Sequence, residues 1–459
     1  MADQITSFDL GPAWRRVLLV VPMVVAAAAG VWFAARWCVG HELALWAPEV
    51  EGMSRASLVA TAARLAPDDP QTHFTLARLG DRSFLPGELP AAVARYERAA
   101  ALSPNDYRLW VDLGRARSAA GDADGAERAL RRATELAPNY PGPRWYLGNL
   151  LLREGRTEEA FDQLRRAGDA NPEVFRPQIF NMAWGAFGGD IRRLGELAGD
   201  SVESRSALAE YLIGRERLDD ALAVWRGFEG AELTEDQIKV GIRLRDTLAK
   251  AKRFHDALAV ERVLRPASGP GPLPEIERVT NGGFEDTVGP PGQHLFEWQV
   301  VPAGGAQMNL DAGVPRGGAR SLRILFESSG KLEFNNVSQL VAVRPSARYR
   351  LEYYFRTEGL KSAVSLRTVV SDAAAEPAQT LGASEPLPMG ATEGWRPVTI
   401  EFTTGPRTEA VLIAVMREQC DEAVCPIFGR VWYDNFNLQR IGGAAGPRAG
   451  QRADSGGDR

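Results

Sequence analysis

The sequence has few of the residues on which many enzymes and metal proteins depend. Its 459 residues include only three cysteines and four histidines. Three cysteines are too few for a fold held together by disulfides, and they lack the paired spacing of a zinc site. The histidines, His41, His73, His255 and His294, stand in unrelated segments and form no recognisable metal cluster.

Catalytic motifs are also missing. The sequence has no Gly-x-Ser-x-Gly, no His-Glu-x-x-His, no phosphate-binding Gly-x-x-x-x-Gly-Lys and no dinucleotide-binding Gly-x-Gly-x-x-Gly. Glycoside hydrolysis needs two carboxylates about 5 to 10 Å apart. The sequence offers no pair with that role, so it predicts a protein that is not an enzyme.

Positive charge is not in excess either. Lys and Arg number 54 and Asp and Glu number 59, which gives a net charge of −5. Such a chain has no overall cationic field to attract nucleic acid, and we expect no nucleic-acid partner. With 45% hydrophobic and 25% charged residues, it has an ordinary globular composition and a length typical of two or three domains.

One long uncharged run lies near the amino terminus, from Val17 to Ala35, between Arg16 and Arg36. A helix rises about 1.5 Å per residue, so this run approaches the roughly 30 Å hydrocarbon core of a bilayer. We predict a transmembrane helix over 15–37, preceded by a cytoplasmic tail over 1–14. The alternative is a cleaved signal peptide, with a small-residue cleavage site at 26–29.

A repeat with a period of 34 residues follows this run. Its matching positions are Leu113 with Leu147, Gly114 with Gly148, Gly121 with Gly155, Ala126 with Ala160, Leu130 with Leu164, Ala133 with Ala167 and Pro138 with Pro172. Each unit reads as two helices joined by a glycine turn, with small residues where the helices cross. Weaker copies before and after predict five to six helical hairpins over 50–265.

This pattern resembles the tetratricopeptide repeat, which has the same period and the same order of Leu-Gly, Ala and Pro. The resemblance implies an all-α solenoid whose first helices line a groove for a protein partner. The groove residues would include Arg108, Arg115, Asn149 and Arg153. A partly cationic groove suits an acidic protein segment. The alternative is that these side chains are simply the solvated face of amphipathic helices.

The helical pattern stops at a Pro- and Gly-rich linker over 266–275. Beyond it, short β-branched or aromatic runs alternate with turn residues, at 322–326, 337–343, 349–355, 364–370, 398–402, 411–415 and 431–436. Their spacing predicts an antiparallel sandwich of about eight strands over 276–441. The remaining 442–459 lack apolar periodicity and are predicted to be disordered.

The two ends of this region are its most specific parts. Asn-Gly-Gly-Phe-Glu at 281–285 and Trp-Tyr-Asp-Asn-Phe at 432–436 resemble carbohydrate-binding modules of family 4/9. That resemblance implies a galactose-binding-like jelly roll and polysaccharide binding through exposed aromatic rings. The candidate rings are those of Phe296, Trp298, Tyr354 and Trp395. The alternatives are rings that pack the core and a sandwich that serves only as a docking or spacer module.

The same resemblance implies a structural calcium ion held by Glu285 and Asp434. Calcium takes six to eight oxygen ligands, and the sequence offers two obvious carboxylates. In the alternative interpretation, the two side chains hydrogen-bond the ends of strands.

Cys420 and Cys425 are close enough in sequence to close a small disulfide ring. A disulfide would place the domain outside the cytoplasm, whereas two unlinked thiols would not. Together, these features predict a membrane-anchored scaffold of the bacterial inner membrane that faces the periplasm. Its repeats would bind a protein, and its sandwich a polysaccharide in envelope assembly. The alternatives are a pure protein adaptor and a glycan hydrolase with an unrecognised site. Oligomeric state is not predicted.

Overall fold

The computed structural model describes residues 13–50, 53–81, 87–265, 271–422 and 424–443. The predicted amino-terminal tail and the predicted disordered tail lie largely outside these residues, as does the first half of the predicted linker. The chain divides into two compact units, Met1–Leu197 and Ala198–Arg459. This division falls inside the predicted repeat region and not at the predicted linker.

The first unit is helical throughout its described residues, apart from short turns. Its helices are α1 Ala13–Trp46, α2 Met53–Leu65, α3 Pro70–Asp81, α4 Glu88–Leu102, α5 Tyr107–Ala119, α6 Ala123–Leu136, α7 Pro141–Arg153, α8 Thr157–Ala170, α9 Pro172–Ala186 and α10 Ile191–Ala198, the last of which ends at the first residue of the second unit. Asp106 and Asp122 accept hydrogen bonds from the first turns of α5 and α6, which fixes where these helices begin.

Helix α1 is longer than the predicted span. Its apolar residues over 17–35 are exposed, and the helix is long and apolar enough to cross a membrane, a property that signal sequences share. The helix continues past the predicted end to Trp46. At the end of the predicted span, Arg36 donates to the carbonyl oxygens of Arg64 and Leu65 at 2.7 and 3.0 Å. The carboxyl-terminal part of α1 therefore packs on α2 as part of the helical unit.

The close crossings predicted from the repeat are present. A Cβ atom on Gly114 would lie 2.6 Å from Cγ of Leu130, and one on Gly148 would lie 2.6 Å from Cγ of Leu164. Since these distances are too short for real carbon contacts, only glycine allows the two helices of each pair to approach so closely. The same geometry recurs 34 residues later, as expected for a repeat.

The second unit begins with α11 Val202–Gly214, α12 Leu218–Arg226, α13 Glu235–Lys250 and α14 Phe254–Leu264. The turns within its two helix pairs are made by Glu216 and Lys252, whose φ angles are 59° and 62°. Gly121 and Gly155 occupy the corresponding turns of the first unit at 84° and 76°. The later repeats thus keep the left-handed turn without its glycine, which is why their sequence signal is weak.

We expect Glu216→Gly to stabilise the second unit by about 0.5 to 1 kcal/mol, because glycine removes the cost of the left-handed conformation. Glu216 is exposed, so little else is lost. Urea unfolding of residues 198–443, followed by tryptophan fluorescence, measures the change. Glu216→Ala is the matched control and should bring no gain; an equal gain in both variants would mean that the turn is unstrained.

The rest of the second unit is a β-sandwich. Its strands are β1 Gln299–Val300, β2 Ala306–Asp311, β3 Ser321–Ser328, β4 Val337–Ala342, β5 Ala347–Ser362, β6 Leu366–Asp372, β7 Gln379–Ala383, β8 Arg396–Thr403, β9 Ala410–Arg417 and β10 Ile427–Gly443. They form two antiparallel sheets, in the orders β1-β4-β9-β6-β7 and β2-β3-β10-β5-β8. In the described part of the sandwich, ten strands replace the predicted eight, and the jelly-roll connectivity stays a prediction.

One hydrophobic core lies between the two sheets. Strand alternation places Ile324, Tyr353 and Tyr433 of one sheet against Val370 and Ile413 of the other. Helix α14 also contacts the sandwich, because Nε2 of His255 lies 2.8 Å from the carbonyl oxygen of Val343. The last helices and the sandwich therefore belong to one unit.

Candidate binding surfaces of the repeats and the sandwich

The first helices of neighbouring repeats lie side by side. The Arg115 guanidinium of α5 lies 5.1 Å from the ring centre of Tyr146 on α7. Arg153 of α7 donates to Oγ of Ser118 on α5 at 2.8 Å. Asn149 lies between these contacts in sequence and donates to the carbonyl oxygen of Trp145. We define the first-helix face as Asp112, Arg115, Tyr146, Asn149 and Arg153.

The charge of this face is more balanced than the sequence predicted. Arg115 donates to Asp112 at 2.9 Å, and burial raises the pKa of the Asp112 carboxyl. Arg108 instead pairs with Asp106 at the start of α5, through two bonds of 2.9 and 2.7 Å. Three of the four predicted groove residues thus lie on the face, and Arg108 mainly serves the helix start.

Sequence reasoning missed Asp112 and Tyr146. Both occupy the same repeat position, 34 residues apart, as do Arg115 and Asn149. Because equivalent positions of a repeat lie on the same face, comparing the two copies is the signal that could have found them. The face also extends toward α9, where the rings of Trp145 and Phe175 lie 5.0 Å apart.

The second helices carry a different surface. Arg131 donates to Glu127 at 2.7 Å, Arg156 donates to Glu127 at 2.8 Å, and both arginines also bond Glu159. Hydrogen bonds from Arg131 and Arg156 lower the pKa of the Glu159 carboxyl. These charges join α6 to α8 and pair among themselves, so this surface is a solvated ion-pair network.

Two of the four predicted sugar-binding rings are in the core. Phe296 and Trp298 are each only 2% exposed. The Trp298 ring packs 5.0 Å from Phe284 and 4.9 Å from Phe436, and its Nε1 donates to the carbonyl oxygen of Asn281. A ring without an open face cannot stack on a pyranose, so we correct the prediction at Phe296 and Trp298.

Tyr354 and Trp395 are half-buried and keep some exposure. Tyr354 lies on the outer side of β5, and the guanidinium of Arg316 sits 3.4 Å from its ring centre. Trp395 immediately precedes β8. The outer side of the same sheet also carries Trp432, which the sequence analysis did not single out as a candidate.

Trp432 is centred between two arginines on this outer side. It pairs in register with Arg323 of β3 and Arg356 of β5. Arg356 lies 5.8 Å from the indole, and the indole Nε1 donates to Asp311 at 2.8 Å. We call Arg323, Tyr354, Arg356 and Trp432 the outer face of the sandwich. Trp432 is only 3% exposed. The two arginines and Tyr354 therefore provide most of the accessible surface of the outer face.

The predicted calcium ligands hold a loop. Asp434 is fully buried and accepts from the backbone N–H groups of Arg316 and Gly317 at 2.9 and 3.2 Å. Glu285 accepts from the N–H of Ala319 at 3.0 and 2.9 Å through its two oxygens. Burial raises the pKa of the Asp434 carboxyl, although the N–H groups oppose the shift.

This donor set does not fit calcium as it stands. Both carboxylates already accept backbone N–H groups, so their oxygens face hydrogen-bond donors and not a cation. Across the part of the chain that the structure describes, no three His, Cys, Asp or Glu side chains converge as metal ligands. The arrangement matches the hydrogen-bonding alternative, and no function here is assigned to a metal.

Cys420 and Cys425 form a disulfide, and Cys38 is an exposed free thiol. We therefore expect one reactive thiol when the denatured protein is counted without reduction, and three after reduction. Labelling with a thiol reagent, read by mass spectrometry, checks this. Three thiols before reduction would remove the main argument for an oxidising compartment.

The paired helices, glycine crossings and 34-residue period define the tetratricopeptide repeat. The family model for this repeat matches residues 84–141 and 117–180, so the chain contains tetratricopeptide repeats. No curated protein matches this chain.

Solved structures with some similarity include pilF of Pseudomonas aeruginosa, at 15% identity over 51% of this chain and 95% of that one, with a TM-score of 0.30. YrrB, described as a TPR protein with an unusual peptide-binding site, has 17% identity over 45% and 90% of the chains, with a TM-score of 0.24. A CBM4 structure has 13% identity over 35% and 99%, with a TM-score of 0.27.

Proposed function

We propose that this protein is a non-catalytic, membrane-anchored scaffold whose tetratricopeptide repeats bind a protein partner through the first-helix face. The observation that carries the proposal is the continuity of that face across two repeats. The Arg115–Tyr146 and Arg153–Ser118 contacts join α5 to α7 into one surface. Arginine and tyrosine are the residue types that dominate binding energy at protein interfaces. The second helices, by contrast, pair their charges with each other.

The proposed anchor is helix α1. Val20, Met23 and Phe33 on it are 55%, 71% and 65% exposed, which is costly in water and favourable in lipid. The Cys420–Cys425 disulfide supports a location of the repeats and the sandwich outside the cytoplasm. In a bacterium this topology corresponds to the inner membrane with the bulk of the chain in the periplasm.

For the sandwich we propose binding of a polysaccharide at its outer face, in the assembly of the cell envelope. Arg323, Arg356 and the Tyr354 ring offer hydrogen-bond donors beside an aromatic surface, a combination that suits an acidic glycan. Affinity electrophoresis of residues 198–443 in gels containing acidic or neutral polysaccharides tests this. The absence of any retardation would favour the alternative of a protein adaptor with a structural sandwich.

Site-specific photo-crosslinking tests the protein-binding proposal. A benzophenone amino acid is placed at Arg115 or Arg153 on the first-helix face, and at Arg132 or Arg165 on the second helices as controls. The side chains at 115, 132 and 165 have similar exposures, of 49%, 42% and 43%. We expect one defined protein adduct in cells from positions 115 and 153 and none from the controls. Equal adducts from both sets would contradict the proposal.

A further inference from the structure

A polar cavity of about 210 Å³ lies between the end of α14 and the loop that leads into β1. Neither the predicted sugar-binding residues nor the outer face of the sandwich takes part in it. Its polar lining includes Arg265, Asp286, Thr287, Gln293, His294 and Glu297. All of these residues belong to the second unit.

A buried ion pair fixes one wall of this cavity. Arg245 and Glu261 are 2% and 1% exposed and lie 2.7 Å apart. Arg245 also donates to the carbonyl oxygen of Gln293 at 3.0 Å, and Nδ1 of His294 lies 2.8 Å from Glu261. The backbone of Gln293 and the side chain of His294 are therefore positioned by groups behind the cavity wall, as in a preorganised site.

The same contacts set the hydrogen-bonding character of His294. Burial opposes ionisation of Glu261, but the hydrogen bond with His294 and the charge of Arg245 outweigh it and lower the pKa of the carboxyl. An ionised carboxylate only accepts hydrogen bonds, so Nδ1 of His294 is the donor.

The cavity offers donors and acceptors together. Arg265 and the Gln293 amide N–H donate, while the Asp286 and Glu297 carboxylates and the Gln293 amide oxygen accept. Arg265 pairs with Glu297 at 2.6 Å and Arg245 with Glu261, which leaves the Asp286 carboxylate without a cationic partner among the described residues. An ammonium ion only donates and a carboxylate only accepts, so neither satisfies such a lining. A hydroxyl group does both.

We propose that this cavity binds one ring of a neutral sugar. The cavity is smaller than the usual drug-binding pocket. Its volume suits a single six-membered ring and not a longer sugar chain. The proposal rests on the proposed glycan-binding role of the sandwich and adds a second, separate contact. It assigns the sugar hydroxyls to Asp286, Gln293 and His294.

The test is saturation-transfer NMR titration of the full chain in nanodiscs, since detergents with sugar head groups would compete. The probes are glucose, N-acetylglucosamine, glucuronate and propylamine. Asp286→Asn and Gln293→Ala each remove a polar group of the cavity. Neither side chain bonds to another element of the described structure. Asp421→Asn, in the exposed disulfide loop, is the matched control, and Tyr354→Ala reports on the outer face.

We expect a neutral sugar to bind, with affinity weakened about tenfold by Asp286→Asn and by Gln293→Ala but unchanged by Asp421→Asn and Tyr354→Ala. Binding of propylamine or glucuronate alone would overturn the assignment. Sugar binding that Tyr354→Ala abolishes and Asp286→Asn leaves unchanged would overturn it while keeping the outer face as the glycan site. No binding by any probe, together with no retardation in polysaccharide gels, would contradict both the cavity proposal and the proposed polysaccharide binding at the outer face.

Discussion

Glu261→Gln should destabilise the second unit by about 3 kcal/mol, because it leaves the Arg245 guanidinium buried without its ionised partner. Arg245 is 2% exposed, and Asp246, its other acidic contact, is 46% exposed and well solvated. The substitution also weakens the hydrogen bond to His294, which lies in the sandwich. Urea unfolding of residues 198–443, read by tryptophan fluorescence, gives the free energy of unfolding.

The matched control is Glu210→Gln in the same unit. Glu210 and Arg243 form a pair 3.5 Å apart with exposures of 55% and 56%. Solvated pairs of this kind contribute less than about 1 kcal/mol. Equal effects of the two substitutions would mean that the Arg245–Glu261 pair is not buried in solution.

The Glu261 pKa also gives this pair a pH dependence. Its folded-state pKa is lowered, so its contribution to stability is fully present above the unfolded value of about 4.3 and is lost as the pH falls through the folded value. The free energy of unfolding of the unsubstituted unit should therefore fall more steeply below about pH 4.3 than that of Glu261→Gln. Parallel curves would contradict the assignment of a lowered pKa.

Arg417→Met should cost about 3 to 5 kcal/mol, through a different mechanism. The Arg417 guanidinium is buried and forms no ion pair with a carboxylate of the described residues, and burial lowers its pKa. It donates instead to four backbone carbonyl oxygens and one hydroxyl, those of Leu332, Val364, Cys425, Pro426 and Ser362. Methionine fills the space but leaves these acceptors without donors.

Arg430→Met serves as the control for this prediction. Arg430 bonds Glu358 at 3.0 Å and is 48% exposed, so its loss should cost less than about 1 kcal/mol. The two variants are compared by the same urea titration, with the disulfide confirmed intact in both. If Arg417→Met were as mild as Arg430→Met, the guanidinium would not be organising the end of β9 and the disulfide loop.

The repeat could be predicted because its helix packing requires particular residues at fixed positions in the sequence. Gly114 and Gly148 must be glycine at the helix crossings, and Gly121 and Gly155 favour the left-handed turn. Glu216 and Lys252 make the same turn without glycine. The sequence signal of the repeat is therefore weaker there, although the helix pairs are present. The strands followed from alternation for a similar reason, since one side of each must be apolar.

The binding surfaces were less predictable. Apolar alternation in the sequence does not show whether an aromatic ring points into the core or toward solvent. The buried Phe296 and Trp298 therefore seemed as suitable for sugar binding as Tyr354. Charged residues are usually exposed, and this expectation fails for Arg245 and Arg417, whose partners lie far away in sequence. The division of the chain before Val202 also escaped prediction, because contacts such as His255 with Val343 join helices to sandwich across the linker.

The proposed scaffold function depends most on the first-helix face, and the affinity of the crosslinked partner tests this face directly. Two double variants are compared with the unsubstituted chain. One combines Arg115→Ala with Arg153→Ala on the first-helix face, and the control combines Arg132→Ala with Arg165→Ala on the second helices, so that both lose the same charge. We predict a loss of at least about tenfold for the first pair and almost none for the second. Unchanged affinity in the first pair, or an equal loss in both, would contradict the account.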